Sequence, residues 1–244
     1  MDFVFICIAA VVAGLARGFS GFGGALIFVP LASATVGPQM ASAVLLVVDG
    51  IMTLGMLPNA WRHANRREVF TMVSGAVVGI PAGTALLALA PSLAVRWVIC
   101  CVVLLLLIFL ISGRRYQGTP KTYLTVMVGT VAGLFGGAAQ ISGPPVVAYW
   151  LGGAFPANTV RANLVVYFAL SSVLSATAYL FAGLFTSEVL RLAAIVGLSY
   201  GMGIFVGARA FGIANELTFR WICFGLIASA ALVGLPLFDF LRSS

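Results

Sequence analysis

Two apolar stretches of this chain are too long to be single membrane-crossing helices. They cover residues 3–36 and 122–154, and each would reach roughly 50 Å as one helix, against a hydrocarbon core of about 30 Å. Both contain clustered glycine and proline, which helices accommodate only at a cost. We predict that each stretch forms two short helices around an unwound centre. The two centres are Gly18-Phe19-Ser20-Gly21-Phe22-Gly23-Gly24 and Gly136-Gly137-Ala138-Ala139-Gln140-Ile141-Ser142-Gly143-Pro144-Pro145.

Six further apolar runs have the length of one membrane span: 41–60, 69–90, 94–112, 160–182, 189–211 and 217–238. With 62% hydrophobic and 8% charged residues, the chain has too few polar side chains to cover a globule in water. We therefore predict an all-α polytopic protein of the inner (cytoplasmic) membrane, with one transmembrane domain over residues 1–244. Apart from Arg17, the basic residues behind the net charge of +7 lie between the runs or near their ends, where membrane topology needs them, so no nucleic-acid partner is expected.

The chain shows an internal duplication, because short sequences recur in the same order. Repeat 1 would cover about residues 1–118 and repeat 2 about residues 119–244. The separation is 119 residues for the first match and 124 for the last. The matches are Val12-Ala13-Gly14-Leu15 with Val131-Ala132-Gly133-Leu134, Glu68-Val69 with Glu188-Val189, Gly79-x3-Gly83 with Gly203-x3-Gly207, and Arg96-Trp97 with Arg220-Trp221.

Basic residues in two loops predict a cytoplasmic face. One loop holds Arg62, Arg66 and Arg67; the other, two spans later, holds Arg114, Arg115 and Lys121. If each long stretch is a re-entrant hairpin, every half has three full spans and the halves are inverted; if it crosses, there are eight spans and the halves are parallel. Length favours hairpins, but the scattered charges of the second half leave both topologies open.

The unwound centres are the predicted binding site. Unpaired backbone in the membrane is tolerated only inside the protein or beside a watery cavity, and the N-termini of half-helices attract anions. Two such ends facing each other would bind a small anionic substrate. The alternatives are that the glycines allow close helix packing and that the polar side chains satisfy the broken backbone. The candidates are Gly18, Ser20, Gly21, Gly23, Gly24, Gln140, Ser142 and Gly143.

A few charged or amide side chains complete the predicted site. Arg17 adjoins the first centre, and Arg161, with Asn163 nearby, follows the second; each arginine would attract an anion, or would serve as a structural or topological charge. Asp49 is an acid within a predicted span, so it is a candidate for proton coupling, for cation binding, or for neutralising Arg17.

Other functional classes fit less well. Gly18-Phe19-Ser20-Gly21 matches the GxSG motif of intramembrane serine proteases, but the sole histidine, His63, lies in the arginine-rich loop. No ATP-binding loop or metal-ligand spacing is present in the sequence, so we expect no catalytic residues, metal or cofactor, and a protein that is not an enzyme. An anion channel remains an alternative, because paired hairpins also line pores. A homo-oligomer is left open.

The glycine pattern from Gly14 to Pro30, the second pattern from Gly133 to Trp150 and the following Arg161 resemble the TauE/SafE family of membrane transporters, which includes sulfite and organosulfonate exporters. The resemblance spans nearly the whole chain. It implies a secondary transporter for a sulfur-containing or other small organic anion, driven by the proton motive force. The second half departs from the first, with Gln140 and Pro144-Pro145 where the first half has Gly21 and Ala25-Leu26, so a symmetric site is not expected.

Overall fold

A computed structural model describes residues 2–113, 116, 118, 120–153, 155–210 and 216–238, without the side chains of Asp2, Ala157, 216–220 and Phe238. The predicted loop residues Arg114 and Arg115 and the side chain of Arg220 therefore lie outside the described part. Within it the chain forms ten α-helices and one 3-10 turn, Pro236–Phe238. The helices are α1 Asp2–Ser20, α2 Gly24–Val36, α3 Pro38–His63, α4 Arg66–Leu89, α5 Ser92–Ile111, α6 Thr122–Ala139, α7 Gly143–Gly152, α8 Ala157–Phe181, α9 Ser187–Ala210 and α10 Glu216–Gly234.

The described residues confirm the all-α polytopic class. Seven helices, α1, α3, α4, α5, α6, α8 and α9, are long and apolar enough to cross a membrane. The two interruptions are also confirmed: α1 ends at Ser20 and α2 begins at Gly24, whereas α6 ends at Ala139 and α7 begins at Gly143. Positive φ angles at Gly21 and Gly23, +75° and +100°, end the first helix in a conformation that glycine adopts without strain.

Each interruption turns the chain back on itself. A Cβ atom at Gly24 would lie 3.3 Å from the carbonyl oxygen of Ala13, and Leu31 lines the same surface hollow as Phe5, so α2 runs antiparallel to α1. In the second stretch the hydroxyl groups of Thr125 near the start of α6 and Tyr149 near the end of α7 are 2.7 Å apart. Both stretches are helical hairpins in the protein; their depth in a bilayer stays a prediction.

The most extensive helix contacts join the predicted halves. Because glycine has no side chain, two helix backbones can approach each other closely where glycines face the neighbouring helix. Gly75 of α4 faces Val126 of α6, and Gly83 faces Ala138, so these two helices run parallel. The two glycine series, 75/79/83 and 129/133/137, thus allow the close approach of α4 and α6.

The helix pair α1 and α9 repeats this arrangement. Gly203 faces Val11 and Gly207 faces Leu15, again in parallel. In the predicted duplication α1 corresponds to α6, and α4 corresponds to α9. Exchanging the two halves therefore converts the pair α4 with α6 into the pair α9 with α1, which is the second pair in the structure. The duplication and its inverted orientation remain predictions that these contacts support.

The helix directions place the basic loops at one end of the bundle. The N–H of Asn65, between α3 and α4, donates to Asn163 near the start of α8 over 2.7 Å, and α4 and α6 begin side by side. We call this end, which holds Arg62, Arg66, Arg67 and Lys121, the basic face. At the other end, the opposite face, Arg96 at the start of α5 donates to the carbonyl of Gly234 at the end of α10 over 3.1 Å.

Candidate functional site

The two interruptions meet in the middle of the bundle. A Cβ atom at Gly143, the first residue of α7, would lie 3.1 Å from Cβ of Phe22 in the first interruption. Between them is a small cavity that offers about 50 Å³ to the centres of water-sized molecules. Its lining includes Arg17, Phe22, Gly23, Gly24, Ala25, Leu26, Asp49, Gln140, Ile141, Ser142, Gly143, Pro144, Phe168, Ser171, Ser172 and Tyr200. The structure thus brings together seven of the predicted site residues: Arg17, Gly23, Gly24, Asp49, Gln140, Ser142 and Gly143.

An ion pair lies in the cavity wall. Nε of Arg17 donates to Oδ1 of Asp49 over 2.8 Å, and the two side chains are 14% and 26% exposed. The hydroxyl of Tyr200 donates to the same carboxylate oxygen over 2.8 Å. The formal charges of Arg17 and Asp49 cancel, so the arginine is not a free positive charge in the ionised pair.

Arg17 also holds the first interruption in shape. One terminal nitrogen donates to the carbonyl of Gly21, and the other donates to the hydroxyl of Thr53 over 3.0 Å. The guanidinium carbon lies 5.2 Å from the ring centre of Phe168, within cation–π range. Two of its five N–H groups remain after these three hydrogen bonds, so Arg17 can brace the backbone and still contact cargo.

The two half-helix N-termini differ in the donors that they offer. No side chain caps α2, and the N–H groups of Gly24, Ala25 and Leu26, in its first turn, have no carbonyl acceptor within the helix. In α7 the first turn contains Pro144 and Pro145, which have no N–H. An anion in the cavity would therefore find three backbone donors on α2 but only that of Gly143 among the first three residues of α7.

The second interruption supplies a hydroxyl in place of the missing amides. Ser142 is 8% exposed and lines the cavity, and its hydroxyl makes no hydrogen bond to the residues that the structure describes. Since a hydroxyl that faces the cavity can both donate and accept, this group is available to hydrogen-bond an oxygen atom of a ligand.

Gln140 is the non-glycine residue with a positive φ angle, +60°, in the described chain. Its Nε2 donates over 3.3 Å to the hydroxyl of Tyr179, and that hydroxyl donates over 2.8 Å to the carbonyl of Gly137. Gln140 thus lines the cavity, but its amide is bonded to the wall behind it.

Three predicted residues of the first interruption lie outside the cavity lining. A Cβ atom at Gly18 would overlap the backbone of Ile204, so Gly18 serves helix packing. The hydroxyl of Ser20 donates to the carbonyl of Ala16 over 2.7 Å and contacts that of Phe22, so it satisfies the broken backbone. Gly21 is exposed at the tip of the hairpin.

Two other predicted residues are also remote from the lining. Asn163 is fully buried and accepts the backbone N–H of Asn65, so its placement supports the loop between α3 and α4. Arg161 is exposed near the start of α8, towards the basic face. The structure does not bring either residue to the cavity.

The cavity walls contributed by α8 and α9 were not among the predicted site residues. Phe168, Ser171, Ser172 and Tyr200 complete the cavity, and Thr53 binds Arg17. One signal was available: Thr53 and Ser172 are 119 residues apart, the separation that relates the two interruptions. Tyr200 had no such signal, because its role depends on how α9 crosses α3.

The family model described as Sulfite exporter TauE/SafE matches residues 6–234, which is nearly the whole chain. No curated protein and no solved structure matches the chain.

Proposed function

Because the chain belongs to the TauE/SafE sulfite exporter family, a family of multi-pass membrane transporters, we propose that it is a secondary transporter. Its cargo is a small sulfur oxyanion or organic anion, of the sulfite, sulfonate or sulfoacetate class, which crosses the cytoplasmic membrane through the cavity between the two interruptions. The observation that carries the proposal is the meeting of two half-helix N-termini beside the half-buried Arg17.

The size and donors of the cavity favour a compact oxyanion group. A volume of about 50 Å³ is room for a few water molecules, so the cavity suits a compact group such as a sulfite ion or the sulfonate end of a longer molecule. The three first-turn N–H groups of α2, the hydroxyl of Ser142 and the N–H of Gly143 can replace the water that such a group sheds. An organic tail would extend towards the exposed tip of the first hairpin.

Coupling to protons would follow from the ion pair. While Asp49 is ionised it cancels the charge of Arg17 and repels an anion. A proton on Asp49 would leave the positive charge of Arg17 uncompensated, so proton and anion would bind together. Tyr200 would stay hydrogen-bonded to either form of the carboxyl group, because its hydroxyl can donate or accept.

The alternatives retained from the sequence differ in what they require. An anion channel needs the cavity to connect both faces at once, whereas a carrier opens it to one face at a time. For a serine hydrolase, Ser20 would need a base, but its hydroxyl is bonded to backbone carbonyls and His63 is at the basic-face end of α3. The cavity and the family favour the carrier.

The experiment is a transport assay in proteoliposomes. Sulfite, sulfoacetate, taurine and a carboxylate are each tested with and without an imposed proton gradient, and the Ser142→Ala variant is run beside the parent protein. We expect saturable transport and counter-exchange of at least one sulfur anion, with a higher KM in Ser142→Ala.

Two results would count against the proposal. Flux that rises linearly with concentration and shows no counter-exchange would favour the channel. Transport of none of these anions would remove this class of cargo.

A further inference from the structure

The tips of the two hairpins differ in exposure. Ser20 and Gly21, at the first tip, are exposed, whereas Ala139 and Ile141, at the second tip, are 3% and 1% exposed. The first hairpin enters from the opposite face and its tip points to the basic face; the second has the reverse orientation. The second tip is therefore covered by protein on the side of the opposite face, whereas the first tip is uncovered on the side of the basic face.

The long helices beside the tips show the same difference. Along α8, the side chains of Ser171, Ser175 and Tyr179 form a buried row with exposures of 7%, 2% and 0%. The positions 119 residues earlier in α3 include Met52 and Met56, which are 39% and 50% exposed. Hence the row on α8 is covered by protein beside the second tip, whereas α3 contacts the first hairpin through Thr53 and leaves Met52 and Met56 uncovered.

Hydrogen bonds through Tyr179 hold the second tip against α8. Its hydroxyl donates to the carbonyl of Gly137 at 2.8 Å and accepts from Gln140 at 3.3 Å, so one buried hydroxyl joins the end of α6 to the turn that follows it. The residues 119 positions before Tyr179 and Gln140 are Ala60 and Gly21. Neither has a side chain that can hydrogen-bond, so the first tip lacks this connection; there Arg17 instead donates to the carbonyl of Gly21 and to Thr53 of α3.

We propose that Tyr179 and Gln140 form a latch that closes the second tip, and that the empty carrier therefore rests with its site open to the basic face. The inference rests on the proposed transport function, because only a carrier must alternate between two such states. Transport would require the latch to open. The second half has Gln140 and Tyr179 where the first half has Gly21 and Ala60. This difference would determine the face to which the empty site opens.

The test measures the accessibility of the two tips without any substrate. Cys7, Cys100, Cys101 and Cys223 are replaced by alanine, and a thiol is introduced by Ile141→Cys or, in a second protein, by Ser20→Cys. A charged, membrane-impermeant thiol reagent is added to intact bacterial cells or to inverted membrane vesicles. In the parent proteins we expect slow reaction at position 141 from outside and fast reaction at position 20 from inside.

Tyr179→Phe removes the latch hydroxyl without removing the ring. We expect it to raise the rate at position 141 by about tenfold, the effect of about 1.4 kcal/mol, and to lower the rate at position 20. Tyr167→Phe is the matched control, since Tyr167 is also fully buried in α8 and its hydroxyl has no hydrogen bond to the described residues. Its rates should equal those of the parent.

Gln140→Gly provides a second variant in case Tyr179→Phe does not accumulate in the membrane. Glycine accepts the φ angle of +60°, so this change removes the side chain without straining the turn. Equal labelling of the latch variants and the control, or fast outside labelling at position 141 in the parent, would overturn the latch. Labelling needs no cargo, so absence of transport with the expected labelling would instead reject the proposed cargo.

Discussion

The substitution Asp49→Asn is the sharpest test of how the ion pair relates proton movement to anion movement. Asparagine has nearly the shape of aspartate and its oxygen can still accept from Arg17 and Tyr200, which now approach Oδ1 of Asp49 at 2.8 Å each. What changes is the charge: the pair goes from a formal net charge of zero to +1 at every pH. The substitution therefore mimics the protonated carboxyl group.

The cost to the fold should be small. Breaking a fully buried ion pair by removing one partner costs about 3–5 kcal/mol, but Asp49 is 26% exposed and both hydrogen bonds can persist. We expect a loss of about 1–2 kcal/mol in the free energy of unfolding. The variant should therefore insert and purify like the parent.

The effect on the anion should be larger than the effect on the fold. At an effective dielectric constant of about 20, a carboxylate roughly 6 Å from an anion repels it by about 3 kcal/mol. Water in the cavity screens part of this repulsion, so we expect about tenfold tighter anion binding at a pH where Asp49 is ionised. Binding should also lose most of its dependence on pH.

The assay distinguishes the coupling of transport to protons from the movement of the anion itself. Proteoliposomes with Asp49→Asn should exchange labelled anion for unlabelled anion at equal concentrations, yet fail to accumulate anion in response to a pH gradient. The matched control is Glu188→Gln, which neutralises an exposed acid at the start of α9 and should leave accumulation intact. Proton-driven accumulation by Asp49→Asn, equal to that of the parent, would refute the coupling role.

Three further substitutions, and a fourth that serves as a control, test the site and the packing. Arg17→Ala should abolish transport in reconstituted vesicles while the protein still folds, as monitored by its elution as a single species in detergent; unchanged transport would remove Arg17 from the site. Tyr200→Phe removes the hydroxyl that donates to the acid of the pair, so we expect about a fivefold to tenfold change in the KM for protons or anion with little loss of stability; identical kinetics would show that this hydrogen bond is dispensable. Gly129→Ala would overlap the carbonyl oxygen of Met72 in α4 and should lower thermal stability by about 1–3 kcal/mol, whereas Gly55→Ala meets nothing within 4 Å and should be neutral or stabilising; equal melting of the two variants would contradict the packing account.

Much of the fold was readable from consecutive residues. The apolar runs identified the spans, because a helix that crosses the hydrocarbon core needs about twenty apolar residues in a row. The positions of the two interruptions followed from local backbone chemistry, since clustered glycine and proline disfavour helix wherever they stand. The structure places these interruptions at residues 21–23 and 140–142, within the predicted segments.

The site was only partly readable. Arg17 and Asp49 could be singled out as charges within apolar runs, and their ion pair was one of the alternatives foreseen. Polar residues near an interruption were harder to assign, because serine and glycine serve a broken backbone, a helix contact or a ligand equally well. Thus Ser20 bonds to backbone, Gly18 packs against α9 and Ser142 faces the cavity.

Long-range proximity needed the folded chain. Tyr200 is 151 residues from the carboxylate that it contacts, and that contact depends on the crossing of α3 and α9. The same holds for the bond from Tyr179 to Gly137 and for the choice of which tip is sealed. Local sequence sets where helices begin and end, because those preferences act between near neighbours; which side chains share the cavity depends on how whole helices pack, and that packing arises from the chain as a whole.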